Sequence, residues 1–279
     1  MISEIRLRKL IKEALHEDIG PGDATTSALI SEEERARGVV VAKEAGVLAG
    51  VDVAAKVFST MDPGCKTSIW KKDGERIGVG ETIMVVEGRA SPMLSAERVA
   101  LNFLQRMSGI ATETARYVEA VRGLPVRILD TRKTSPGLRM LEKHAVRMGG
   151  GFNHRFGLFD GILIKDNHLS VLRGRGVGCG DAVRMAKSRK THAVNVEVEA
   201  TNLDQVREAI EAGADAVLLD NMDVEEIEAA VKLAGGRVIL EASGGINLDN
   251  VRRVAETGVN LISIGAITHS APSLDISLE

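Results

Sequence analysis

The stretch MISEIRLRKLIKEALHED sets apolar residues at helical spacing among charges throughout, the pattern of an amphipathic helix and not of a signal peptide. Short apolar runs follow, RGVVVAKEAGVLAG and KTSIWKKDGERIGVGETIMVVEG, and glycines and an Asp-Gly turn cut them into short strands. SAERVALNFLQRMSGIATETARYVEAVRG then predicts a long helix, with Val99, Phe103, Leu104 and Met107 on its apolar stripe and a break near Ser108-Gly109. From about residue 125 the pattern changes to strand and helix in alternation. The strands are VRILD, GILIK, AVNVEVEA, DAVLLD, RVILEA and NLISIGA. Helices such as NLDQVREAIEAG and DVEEIEAAVKLAG separate several of them, each ending in Gly as a helix C-terminus should. Such alternation implies a parallel sheet, best read as a barrel. An eight-stranded barrel needs two strands more than these, so the expected barrel is incomplete.

The ends of these strands are polar. Asp130 closes the first, Lys165 the second, Glu197 and Glu199 the third, Asp220 the fourth and Glu241 the fifth. In VNVEVEA the valines 194, 196 and 198 share one face, and Asn195, Glu197 and Glu199 the other. With the valines under helices, the acids point into the barrel, where an unpaired carboxylate is costly. Facing lysines or a bound cation would relieve that cost. A single residue of this kind reads as an internal salt bridge; several strand ends together predict a functional site. EASGGIN and IGAITHS, after the fifth and sixth strands, offer small residues whose backbone N–H groups approach an anion closely, as the last two loops of such barrels do for phosphate.

Composition narrows the partners. The 279 residues are 44% hydrophobic and 27% charged, enough for a core and for one large or two smaller domains. No apolar run approaches the ~20 residues of a membrane span. Cys65 and Cys179 make no disulfide framework, which points to a reducing cytoplasm. The net charge is −3, yet Arg127–Arg175 holds ten Lys/Arg against four Asp/Glu and three of the six histidines. A local basic segment on an acidic protein predicts an anionic small-molecule ligand. Aromatics at 3%, with no known binding motif, argue against nucleic acid. DGERIGVGETIMVVEG resembles the hammerhead sheet of biotinyl and lipoyl domains, but no Met-Lys hairpin for cofactor attachment is present.

The long stretch DTRKTSPGLRMLEKHAVRMGGGFNHRFGLFDGILIKDNH, with ERVALNFLQRMSGIAT, VEVEATNL, VLLDNM and EASGGIN, resembles quinolinate phosphoribosyltransferase, the carboxylating nicotinate-nucleotide pyrophosphorylase of NAD biosynthesis. EDIGPGDATT and ISIGAITHSAPSLDISLE fit as well, so the resemblance spans nearly the whole chain in order. It implies an α/β protein: an N-terminal α/β sandwich, residues 1–108 joined by 268–279, and an open, incomplete parallel α/β barrel of the type II phosphoribosyltransferase kind, residues 109–267. The implied reaction converts quinolinate and phosphoribosyl pyrophosphate (PRPP) to nicotinate mononucleotide, pyrophosphate and carbon dioxide, with Mg²⁺. A cytoplasmic homodimer, or an assembly of dimers, follows from the same likeness, each site completed by its neighbour.

The resemblance also distributes roles. Arg132, Arg155 and His154 hold the quinolinate carboxylates with Thr131, and Arg98 reaches in from the second copy. Lys133 and Lys165 line the contact between pyridine and PRPP. Glu199 and Asp220 lie by the ribose and the metal-bound pyrophosphate, reaching the metal through PRPP or water. Glu197 shares a face with Glu199; family spacing to Asp220 favours Glu199 as the ribose contact. Ser243, Gly244, Gly245, Gly265 and Ala266 take the 5′-phosphate. Arginine supplies a fork suited to carboxylate and lysine a movable point charge, which accounts for both kinds of cation in DTRKTSPGLR. His168 reads as a hydrogen-bonding residue and not a metal ligand, Cys179 as inert, Gly149–Gly151 as a close backbone approach, and LRGRGVGCG as a solvated loop. The competing readings are a related phosphoribosyltransferase using a monocarboxylate, a barrel lyase with a Schiff-base lysine, and a non-catalytic carrier module.

Overall fold

The computed structural model describes residues 2–279. Its contacts divide the chain into two compact units. The first holds the chain up to Ala115 with Thr134–Gly150 and Ile267–Glu279; the second holds Arg116–Lys133 and Gly151–Ala266.

The first unit opens with α1 (Glu4–Ile19), which buries Leu7, Ile11 and Leu15, four residues apart along one stripe. The short α2 (Ala24–Leu29) follows, capped by the Asp23 carboxylate on the Thr26 N–H at 2.9 Å. β1 (Arg35–Ala42) and β5 (Thr82–Arg89) pair antiparallel at the centre of a four-stranded sheet. β3 (Lys66–Ile69) flanks β5, and β12 (Ile276–Leu278), from the far end of the chain, flanks β1. β2 (Gly46–Val47) and β4 (Arg76–Ile77) form a small hairpin-like pair beside them. The start of α3 (Val51–Met61) is held by Asp73, whose Oδ1 accepts from the N–H groups of Gly50 at 2.8 Å and Val51 at 3.0 Å. The other oxygen of Asp73 meets Nε2 of His144 at 2.7 Å, on α5 (Arg139–Met148).

The long helix α4 (Ala90–Ala120) runs unbroken for 31 residues, against the expected break at Ser108-Gly109. Both residues serve packing instead. Ser108 Oγ accepts from the Ala49 N–H at 3.1 Å and donates to its carbonyl at 3.2 Å. A Cβ on Gly109 would lie 1.8 Å from the carbonyl oxygen of Pro272, so glycine is required by close backbone approach. Gly149 does the same against the Ala111 carbonyl oxygen, which a Cβ would meet at 2.3 Å.

In the second unit the six expected strands all form: β6 (Arg127–Leu129), β7 (Ile162–Ile164), β8 (Val196–Ala200), β9 (Ala216–Asp220), β10 (Ile239–Ser243) and β11 (Leu261–Ser263). They lie in the order β6-β11-β10-β9-β8-β7, every neighbouring pair parallel. β6 and β7 stand at the two edges, so the barrel is open. Phe152 bridges to Leu129 and covers the outer edge of β6. The helices are α6 (Asp166–Arg173), α7 (Cys179–Arg189), α8 (Leu203–Glu211), α9 (Val224–Ala234) and α10 (Val251–Glu256). Asn202 caps α8, and Asp223 with Glu226 forms a reciprocal capping box on α9. LRGRGVGCG is only in part a loop: Leu172 and Arg173 end α6, and Cys179 opens α7. Cys179 is buried, and burial pushes its thiol up to about 11, which leaves it unreactive at neutral pH.

Candidate functional site

Two strand assignments shift once the sheet is seen. β10 runs on to Ser243, which puts Glu241 in mid-strand, and Glu197 is the second residue of β8 instead of one near its end. The two acids therefore lie deeper in the parallel sheet than Lys165, Asp220 and Ser243, which do stand at or just past strand ends. Val196 and Val198 are fully buried, as expected for the face under the helices.

Asp130, fully buried just past β6, fixes the segment opposite. Its carboxylate accepts from Asn153 Nδ2 at 2.7 Å and from the backbone N–H of His154 at 2.8 Å. His154 Nδ1 accepts in turn from the Arg155 N–H at 2.7 Å. The proton of the neutral ring is thereby assigned to Nε2, which faces Glu197 Oε2 at 3.1 Å and Glu241 Oε2 at 3.6 Å. These three side chains bring one nitrogen and two carboxylates within 4.8 Å, the composition of a divalent-cation site. The N–H on Nε2 opposes that use, because a metal needs the lone pair the proton occupies.

Glu241 is 1% exposed, and its Oε1 has no hydrogen-bond partner. Burial, then the nearby charge of Glu197, push its carboxyl up to about 7, against the pull of His154. The Arg155 guanidinium is lowered from its usual value by burial and then by the charge of Arg132, with Glu197 and Glu199 opposing the shift in part. It donates to the Gly161 carbonyl at 2.8 Å. Two guanidiniums, an imidazole and acids of β8 thus share one electrostatic neighbourhood. Lys165 Nζ meets Glu199 Oε1 at 2.5 Å, and the Asp166 N–H donates to the other oxygen at 3.1 Å. This is the lysine relief expected for an inward acid on β8. Lys165 keeps 44% of its side chain exposed while Glu199 keeps 7%, so the ammonium remains available at the rim. His168 Nδ1 accepts from the Lys165 N–H at 2.8 Å, a hydrogen-bonding role that fixes the start of α6.

Asp220 ends β9 level with Ser243, and Asn221 follows with φ +55°, the single non-glycine left-handed residue among those described. Its N–H donates to the Ser243 carbonyl at 2.9 Å. A Cβ on Gly244 would stand 2.2 Å from the Asn221 side-chain oxygen, so the two loops fit only because position 244 is glycine. Gly244 and Gly245 are exposed, and Gly265 and Ala266, past β11, are half-buried. Thr131 and Arg132 are half-buried and Lys133 exposed, with the Lys133 N–H turned onto Thr131 Oγ1 at 3.0 Å. Arg98 is exposed on α4, in the first unit. Asn153 and Asn221 were not singled out by sequence. Asn221 had a readable signal, asparagine being the residue that best tolerates the left-handed region directly after a strand.

Residues 110–279 match the family model of the quinolinate phosphoribosyl transferase C-terminal domain, and residues 23–108 that of the N-terminal domain. A probable nicotinate-nucleotide pyrophosphorylase [carboxylating] of Bacillus subtilis (strain 168) is 44% identical over 100% of this chain and 94% of its own length. The crystal structure of NadC from Streptococcus pyogenes is 40% identical with TM-score 0.95, covering 100% of this chain and 97% of that one. The nicotinate-nucleotide pyrophosphorylase structure from Francisella tularensis is 39% identical with TM-score 0.93, again over 100% and 97%.

Proposed function

The chain belongs to the quinolinate phosphoribosyltransferase family, and from that premise we propose that it transfers phosphoribosyl from PRPP to quinolinate with loss of carbon dioxide, forming nicotinate mononucleotide. The observation that carries this reading is the gathering of Arg132, Arg155 and Lys165 with the acids of β8 at one end of a parallel sheet. A planar dicarboxylate and a phosphorylated sugar both need cations there, and a monocarboxylate would not need so many.

Arg132, Arg155 and His154, with Thr131, seat the two carboxylates of quinolinate. Lys133 and Lys165 lie between the ring and PRPP. The quinolinate nitrogen attacks C1 of the ribose as the bond to pyrophosphate loosens, and that bond's electrons leave with pyrophosphate. Glu199 stabilises the positive charge on the ribose. The ring nitrogen, now cationic, draws in the electron pair of the C2–carboxylate bond as carbon dioxide departs, and C2 takes a proton from solvent. Ser243–Gly245 and Gly265–Ala266 cradle the 5′-phosphate with small residues and backbone N–H groups. Mg²⁺ fits the donor set as a hard ion held by one or two carboxylates and substrate phosphates. Asp220 at the end of β9 and Glu199, whose two oxygens already face Lys165 and Asp166, would reach it through PRPP or water. When bound, the ion neutralises the charge of the departing pyrophosphate.

We take the working form to be a cytoplasmic homodimer in which Arg98 serves the site of the second copy. Co-refolding inactive Arg98→Ala with inactive Lys165→Ala should then restore activity that neither homodimer has. The reaction itself is tested by nicotinate mononucleotide formation from quinolinate and PRPP, with nicotinate as the control substrate. Product from nicotinate alone, or borohydride trapping of a lysine adduct, would favour the competing readings.

A further inference from the structure

The position of Glu241 is hard to explain by stability. Its register neighbours on β9 and β11 are Leu218 and Leu261, so apolar side chains are accommodated at this level of the sheet. A buried acid with one carboxylate oxygen unbonded is a poor substitute for a third leucine. What the acid does touch is informative. With Glu197 it brackets the single N–H of His154, at 3.6 and 3.1 Å. The opposite edge of that ring is fixed by the Arg155 N–H at 2.7 Å, and the His154 backbone by Asp130 at 2.8 Å. The imidazole is therefore hydrogen-bonded at both nitrogens, by Glu197 and by the Arg155 N–H, with Glu241 packed against Nε2 at 3.6 Å and the His154 backbone tied to Asp130.

We propose that Glu241 is a positioning residue for the dicarboxylate seat: from mid-strand in β10 it fixes the ring of His154, and through that ring Arg155, in the pose that receives the substrate's carboxylates. The inference rests on the reaction proposed above and adds a residue to it that touches no reacting atom. It carries an electrostatic corollary. The groups facing Glu241 are Glu197 from β8, His154 from the segment after β6, Asp130 past β6, and Ser263 from β11. Two of these are acids. Once Glu241 ionises, a further negative charge stands behind a seat built for an anion. Quinolinate binding should then weaken as pH rises through about 7, with PRPP binding unaffected by this group.

The test is steady-state kinetics of the full-length enzyme between pH 6 and 8.5 with Glu241→Gln and Glu241→Leu. Glu241→Gln keeps the shape of the neutral acid and cannot ionise. It is expected to retain turnover and to lose the alkaline rise in KM for quinolinate. Glu241→Leu fills the space without bracketing His154, and should raise KM for quinolinate about tenfold or more while KM for PRPP stays within about twofold. Thermal melting checks that the leucine variant is folded; should it not be, the glutamine pH profile decides alone. A leucine variant with unchanged KM for quinolinate, an equal rise in both KM values, or a glutamine variant with the wild-type pH profile would each overturn the role of Glu241. Absence of product from the wild-type enzyme would overturn the reaction on which the inference rests, a result distinct from these.

Discussion

Glu199 shows on what terms a carboxylate survives inside a parallel sheet. An isolated charge there costs several kcal/mol of desolvation, roughly, and only good partners recover it. Lys165 at 2.5 Å and the Asp166 N–H at 3.1 Å are such partners, and both come from the strand end beside it. The lysine is half in water and the acid is not, so the pair holds its acidic half rigid and leaves its basic half to meet a ligand. Arg132 and Lys133 stand on the loop after β6, outside the strands of the sheet. Arg132→Ala and Lys133→Ala should each remove turnover, by about a hundredfold or more, while the far-ultraviolet circular dichroism and melting temperature stay at wild-type values. Near-normal rates in either purified variant would contradict their placement in the site.

At the scale of elements, the sequence carried the strands well because each is a short apolar run, and the helices between them because a glycine marks each stop, as at Gly213 and Gly235, both with positive φ. Depth within a strand was less legible. Glu241 and Glu197 look like strand-end acids until the register is known, since hydrogen-bond pairing and not composition decides where a strand stops. The expected break in α4 failed for a related reason. Ser and Gly lower helix propensity locally, but Gly109 is bare because the Pro272 carbonyl passes against it, more than 160 residues away in sequence. Gly109→Ala thus separates the two explanations. Propensity alone predicts a gain of roughly 1 kcal/mol. A Cβ 1.8 Å from a backbone oxygen predicts a net loss of about 1–3 kcal/mol, read as a lower urea midpoint.

For the molecule as a whole, stability should respond to pH in two opposed directions. Asp73 is held below the usual carboxylate range by His144 and by the N–H groups of Gly50 and Val51, which outweigh burial. A lowered acid contributes stability above its unfolded value, and that contribution is lost as pH falls through the folded one. Glu241 is raised, so the native state holds a proton that the unfolded chain has released. Between the unfolded value of 4.5 and about 7 its contribution therefore falls as pH rises. Melting curves from pH 5 to 8 should show wild type losing stability relative to Glu241→Gln, with the gap widest at pH 8. Parallel curves for the two proteins would mean that this carboxyl does not titrate in that window.

The pairing of β1 with β12 has a consequence for how the protein is made. β1 leaves the ribosome more than 230 residues before its partner Ile276–Leu278. Until that partner has emerged, one flank of β1 beside Val40–Ala42 must wait with its hydrogen-bonding groups unclaimed. The nascent chain is thus open to pairing with a stranger along that flank until β12 arrives to close it.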